Sequence, residues 1–261
     1  MDNKGRAKKR VIIIFVYLLI FAAIIALLYL WLSPKETCLD GIKNQNEEDV
    51  DCGGVCKKCE KIETQDLVVS KAGAVESGIE NQFDLYAEVH NPNNVFGNKS
   101  FDYEFIFKDY SGAVVSSRKG EDFILPGETK NVIELNVPSR SEFSSIEFKI
   151  TNLQWMEFNE YYEKPQLKIT NKNYTESQSA DVFGEVRGLL KNDSPYDFSL
   201  INIKVILRDA NDNILALNST EVKTVRTGEE REFMVLWPKK FSGTVMKVDV
   251  YPEVNIFDSE S

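Results

Sequence analysis

Four cysteines are the residues of this chain best placed for chemistry, and all of them fall between Cys38 and Cys59. A clustered, even set of this kind closes either two disulfides or one tetrahedral metal site. A zinc site is built from two short knuckles. Cys56-x-x-Cys59 offers one, but Cys38 and Cys52 stand 14 residues apart and offer no second. The spacing therefore favours two disulfides, with three pairings open. A segment of 22 residues buries too little apolar surface to fold unaided, so cross-links must hold it.

The same segment is crowded with hard oxygen donors: Asp40, Asn44, Asn46, Glu48, Asp49 and Asp51. Calcium takes such ligands, and Asp40, Asn44, Glu48, Asp49 and Asp51 form the candidate set. The spacing is not that of an EF-hand, because the central glycine and the terminal bidentate glutamate are missing. The competing reading is a solvated acidic turn held by disulfides. The whole pattern, Cys38-x-Asp-Gly-Ile-x-Asn through Asp49-Val-Asp-Cys52-Gly-Gly-x-Cys56-x-x-Cys59, resembles a short cysteine-rich motif of surface proteins. That resemblance implies an extracellular setting and no chemistry.

Catalytic constellations are hard to assemble from the remaining residues. His90 is the single histidine, which removes histidine-based triads and histidine-rich metal centres. No glycine-rich phosphate loop, Gly-x-Ser-x-Gly elbow or His-Glu-x-x-His run occurs. A pair of carboxylates could serve a glycosidase, but such a pair needs a substrate cleft, which short-looped domains seldom build. The expectation is a protein without catalysis and without a cofactor. Trp155 and Trp237 are expected to pack in cores or at a domain junction rather than to face a glycan. Four glycosylation sequons begin at Asn98, Asn173, Asn192 and Asn218, and they matter only in a host that glycosylates.

The elements that carry these residues are legible in the flanking sequence. Val11 to Leu32 is a run of 22 residues without a charge. As a helix it would span ~33 Å, close to the ~30 Å hydrocarbon core of a bilayer. A cleaved signal has a shorter apolar region followed by a small-x-small site, and Tyr29-Leu-Trp-Leu-Ser-Pro34 supplies none. Lys4, Arg6, Lys8, Lys9 and Arg10 precede the run, so the N-terminus is expected to stay cytoplasmic. The chain as a whole has 31 Lys+Arg against 41 Asp+Glu, a net charge of −10. Removing the basic tail leaves residues 33–261 with a net charge of −14. Nucleic acid is an improbable partner for such a surface, and anionic lipid would repel it.

Beyond the cysteines the sequence repeats itself. Phe101 to Asp109 aligns with Ile201 to Asp209 at an offset of 100, and Val137-Pro138 aligns with Trp237-Pro238 at the same offset. Pro126-Gly-Glu128 aligns with Thr227-Gly-Glu229 at 101, and Tyr86 to Val89 with Phe183 to Val186 at 97. Phe101, Tyr103, Phe105 and Phe107 alternate with mostly polar neighbours, as do Ile201, Ile203, Val205 and Leu207. Period two with one buried face is the mark of antiparallel sandwich strands. Turn signals follow at Asp109 to Gly112 and at Asp209 to Asn213. Returning strands are read at 114–117 and 214–217, then at 132–137 and 232–237, then at 146–150 and 246–251. No long amphipathic helix is expected after residue 33.

The expected architecture is mainly β: an N-terminal transmembrane helix, a small disulfide-rich module and two tandem immunoglobulin-like antiparallel β-sandwiches. The boundaries read as 1–10 for a cytoplasmic tail, 11–32 for the helix and 33–61 for the cysteine module. The sandwiches take 62–160 and 161–261. The second copy resembles FxLYD and CARDB-type sandwich modules through Val182-Phe-Gly-Glu-Val186, Asn192-Asp-Ser194, Val205 to Asp209 and Thr227-Gly-Glu with Phe233. The first shows the same skeleton in Ala87 to Asn91, Phe107-Lys-Asp109 and Leu125 to Glu128. This resemblance implies adhesion, spacing or ligand presentation in a prokaryotic envelope. The expected partners are the bilayer, through residues 11–32, and an unidentified extracellular protein or glycan. The alternative is an accessory subunit of a membrane machine for secretion, surface appendages or division. There Ala22, Ala23 and Ala26 would let a partner helix approach.

Overall fold

A computed structural model describes residues 3–32, 38, 41–44, 46–48, 50–59, 63–139, 141–158, 163–177 and 181–257. The chain divides into two compact units, Met1–Glu63 and Thr64–Ser261.

The first unit contains one helix, α1 (Asn3–Leu32). Its stretch Ile12–Tyr29 has a mean hydropathy of 3.0 and no residue buried against protein. Such a helix is apolar on every side and has no polar face to turn to water. The cysteine module follows. Cys38 is joined to Cys56 and Cys52 to Cys59, with Cα–Cα distances of 5.5 and 4.9 Å. The two bridges interleave along the chain, and they replace a hydrophobic core.

Among the described residues, every regular element of the second unit is a strand. In its first half β1 (Val68–Glu76), β2 (Gln82–His90), β3 (Phe96–Lys108), β4 (Val114–Ile124), β5 (Thr129–Pro138), β6 (Ser145–Thr151) and a short β7 (Trp155–Glu157) follow one another. In its second half come β8 (Leu167–Glu176), β9 (Gly184–Asn192), β10 (Phe198–Arg208), β11 (Ile214–Val225), β12 (Glu230–Trp237) and β13 (Lys247–Glu253). The sheets are β1-β2-β5 with β4-β3-β6, and β8-β9-β12 with β11-β10-β13, all antiparallel. Strand for strand the halves have one topology; β7, paired to the start of β3, is an addition to the first.

Alternation builds each core. Phe101, Phe105 and Phe107 are fully buried with Leu85, Ala87 and Val89, and Tyr103 nearly so. Ile201, Ile203, Val205 and Leu207 are fully buried with Val186 and Leu190. The two core clusters share no residue. The returning strands β4 and β11 run well past the expected 114–117 and 214–217, because both remain paired to the end of their partner.

The structure corrects one alignment and explains another. Asn91 donates its side-chain amide to the Phe96 and Leu125 carbonyls, and Asn192 donates likewise to Tyr196 and Val225. These asparagines are therefore equivalent, at an offset of 101. Tyr86 is thus matched by Arg187, and the offset of 97 read from Tyr86 and Phe183 is a slip of four residues. An even slip keeps every side chain on its face, so alternation alone does not expose the error. The change from 101 to 100 further on is physical. It is a β-bulge in β5 beside Asn136, whose φ is 55°.

The bulge has its own cap. The Asn136 amide donates to Asp84 Oδ1 at 2.8 Å, and Asp84 is buried. Burial pushes the Asp84 pKa up to about 6, partly opposed by the Asn136 amide. Between about pH 4 and about pH 6 the folded state keeps a proton that the unfolded chain has released. Stability from this site is therefore highest in acid and falls as pH rises through that window. Asp84→Asn keeps the acceptor and removes the ionisation. Thermal unfolding should show it stabilised by about 1 kcal/mol near pH 7.5, with the gain gone near pH 3.5. An equal gain at both pH values would contradict a desolvated carboxylate.

Candidate functional site

Asn44, Glu48 and Asp51 of the cysteine module bond within the loop itself. Glu47 is buried, and its Oε2 accepts from the amides of Asn44 at 3.1 Å and Asp51 at 3.3 Å. Asp51 receives the Gly41 amide on both carboxylate oxygens at 3.1 Å. The Glu48 amide donates to the Cys52 carbonyl at 3.0 Å, and Lys43 Nζ donates to the Glu48 carbonyl at 2.7 Å. Gly53, at φ +82°, lies so close that a Cβ would stand 2.6 Å from that of Glu48. Asp40 and Asp49 of the candidate calcium set lie outside the described residues; Asn44, Glu48 and Asp51 lie inside them. The amides of Gly41, Asn44 and Asp51 thus point at the carboxylates of Asp51 and Glu47. Sulfurs of Cys38 and Cys56 approach a Glu47 oxygen, but both are oxidised and offer no thiolate to zinc.

The sequons separate by burial. Asn98 and Asn192 are fully buried, and both amide hydrogens of Asn192 are engaged, so neither side chain is within reach of an enzyme in the folded domain. Asn218 is half-buried and donates to the Leu236 carbonyl at 2.6 Å. Asn173 is exposed on β8. His90 closes β2 with Nδ1 2.9 Å from Thr129 Oγ1. Trp237 is buried in the second core and donates Nε1 to the Leu217 carbonyl, while Trp155 is half-buried in β7.

The most unusual cluster was not among the residues singled out. Lys130 is fully buried where the two sandwiches meet. Its Nζ donates to Asp122 Oδ1 at 2.5 Å and to the Phe123 carbonyl at 2.8 Å. It stands 3.4 Å from Glu253 Oε2 and 3.5 Å above the Phe123 ring centroid. Lys204 approaches from the second half. Its Nζ lies 2.6 Å from Glu253 Oε2 and 3.6 Å from Asp122 Oδ2, and it donates to the Asn131 carbonyl at 2.9 Å. Two cations and two anions thus alternate, and each half supplies one of each.

The electrostatics follow from that alternation. Burial alone would raise the Asp122 pKa, but the Lys130 and Lys204 ammoniums hold it below the usual carboxylate range. Burial would likewise lower Lys130, and Asp122 with Glu253 raises it instead. Nearby Glu128 lacks so close a partner, and burial raises its pKa. An aromatic seam adjoins the charges. Phe257 sits edge-on to Phe123 and Phe158, at 6.2 and 5.8 Å between ring centroids, over Gly97, where a Cβ would stand 2.8 Å from its ring. A signal for this cluster existed in the sequence. Lys130 falls in phase with Val132 on the inward face of β5, a place where alternation calls for an apolar residue.

No protein-family model matches the chain, and no curated protein matches it. The resemblances to FxLYD and CARDB modules and to the cysteine-rich motif thus gain no support from a family. What stands is a mainly β chain with antiparallel sheets arranged as immunoglobulin-like sandwiches, two disulfides and one apolar helix. Among solved structures, that of the calcium-binding domain CBD12 of CALX1.1 aligns over 65% of this chain and 73% of its own, at 13% identity and a TM-score of 0.19. Nothing about ligands is carried over at that overlap.

Proposed function

We propose that the chain is a single-pass, membrane-anchored structural or binding module of a prokaryotic envelope, non-catalytic, with its N-terminus cytoplasmic and residues 33–261 outside. The observation that carries the reading is the helix. Ile12–Tyr29 exposes apolar side chains on all sides, and five cations precede it against one anion. Bilayer hydrocarbon is the medium in which such a surface is satisfied. The oxidised cysteine pairs support an extracytoplasmic setting, since thiols are kept reduced in most cytosols. The joined sandwiches support a spacer or presenting role, because a buried ionic junction fixes two modules against each other.

Protease added to intact spheroplasts should digest Thr64–Ser261, while a tag on residues 1–10 stays protected. Protection of the sandwich unit until the membrane is broken would overturn the orientation. Release of the chain by alkaline carbonate would overturn the anchor.

A further inference from the structure

The duplication uses its docking surfaces only once within the chain. The face that the second half turns to the first carries Lys204 on β10 and Glu253 on β13, with Tyr251 directly opposite Lys204 in register. Strand register locates the counterparts in the first half. Glu104 stands where Lys204 stands, Thr151 where Glu253 stands and Lys149 where Tyr251 stands. There the surface is open. A concavity of about 550 Å³ lies over it, bordered by Asp102, Glu104, Lys119, Glu121, Lys149 and Thr151.

The other side of the junction has its counterpart as well. Lys130 pairs with Val89 across β5 and β2, and Arg231 pairs with Leu190 across β12 and β9. The equivalence of Asn91 and Asn192 makes Lys130 and Arg231 equivalent too. Lys130 is fully covered, whereas the Arg231 side chain is 45% exposed and leans on Glu229 at 2.7 Å. The second half therefore ends in a half-exposed cation held by Glu229 and by the Thr224 carbonyl, and the first half holds an open seat with three carboxylates against two ammoniums.

The geometry points to head-to-tail association with a second copy of this chain. The Arg231 end of one molecule seats on the β4-β3-β6 face of the next, as the Lys130 end seats on the β11-β10-β13 face within one molecule. The substitutions between the halves are concerted. Inside the chain two lysines face each other, and Asp122 and Glu253 must stand between them. Between chains Glu104 meets Arg231 directly, and the two bridging acids are absent: Val222 replaces Asp122, and Thr151 replaces Glu253. Such a contact is heterologous, so it repeats from molecule to molecule unless the rotation closes a ring. It does not depend on the membrane reading.

The test uses the full chain in non-ionic detergent, followed by sedimentation velocity. The chain should associate with rising concentration, and added salt should weaken the association. R231E and E104R should each weaken it about tenfold or more, with thermal melts lowered only slightly, since the exposed pairs they break are weak. The two variants mixed should associate again. Each then meets a partner of opposite sign at both ends, which a misfolded variant would not achieve. A chain that stays monomeric at about 100 μM would overturn the inference, as would association indifferent to both reversals or a mixture that remains dissociated.

Discussion

Lys130→Met should lower the stability of the sandwich unit by about 3–5 kcal/mol, the usual cost of stranding partners of a buried charge. In a unit of this size that is roughly a 10 °C fall in unfolding temperature. The reason is local. Lys130 is fully buried, and its loss leaves the Phe123 carbonyl without its donor and Asp122 and Glu253 to share Lys204 alone. Replacing all four charges together, as K130M, D122L, K204M and E253L, should come out within ~1 kcal/mol of the parent, since no desolvated charge is then left unpaired. Calorimetry on the single and quadruple variants checks both. A single variant as stable as the parent would mean that water reaches the cluster. A quadruple variant as damaged as the single one would mean that the ion pairs add net stability.

That contrast also shows how far the sequence could be read. Alternation at Phe101 to Phe107 and Ile201 to Leu207 is a one-dimensional signal, and it placed both cores. The cysteine spacing separated disulfides from zinc on the same kind of local information. What it did not contain was which sulfurs meet, because pairing depends on how Glu47 and Asp51 fold the loop between them. Buried Asn192 looks like a sequon in one dimension and is a turn clamp in three, its amide hydrogens held by carbonyls four and 33 residues away. The junction was the least legible feature. Asp122, Lys130, Lys204 and Glu253 are ordinary surface residue types, and only tertiary docking brings them within hydrogen-bond reach. The one clue, a lysine in phase with Val132, was masked by its place at the start of a strand, where polar residues are common.

The second large effect lies in the cores. Phe105→Asp should unfold the first half, and Val205→Asp should unfold the second. Phe105 is fully buried with its ring 4.7 Å from Phe148 and 5.8 Å from Tyr103, and Val205 is fully buried among Ile203, Leu207 and Val186. A carboxylate in either place has no cation or donor to meet it. The cost is several kcal/mol, comparable to the ~5–15 kcal/mol that holds a whole domain together. The neighbour should survive each substitution. The halves share no core residue, and what joins them includes charges that water solvates readily once exposed. Trp155 reports the first half and Trp237 the second, so single-tryptophan versions read the halves separately. In Phe105→Asp the Trp237 emission should stay blue-shifted and unfold cooperatively on heating. In Val205→Asp it should shift red at once, while hydrogen exchange in β3 stays slow. If either substitution released both halves together, the ionic junction would be a condition of folding rather than a lock between finished domains, and a boundary near residue 161 would have no physical meaning.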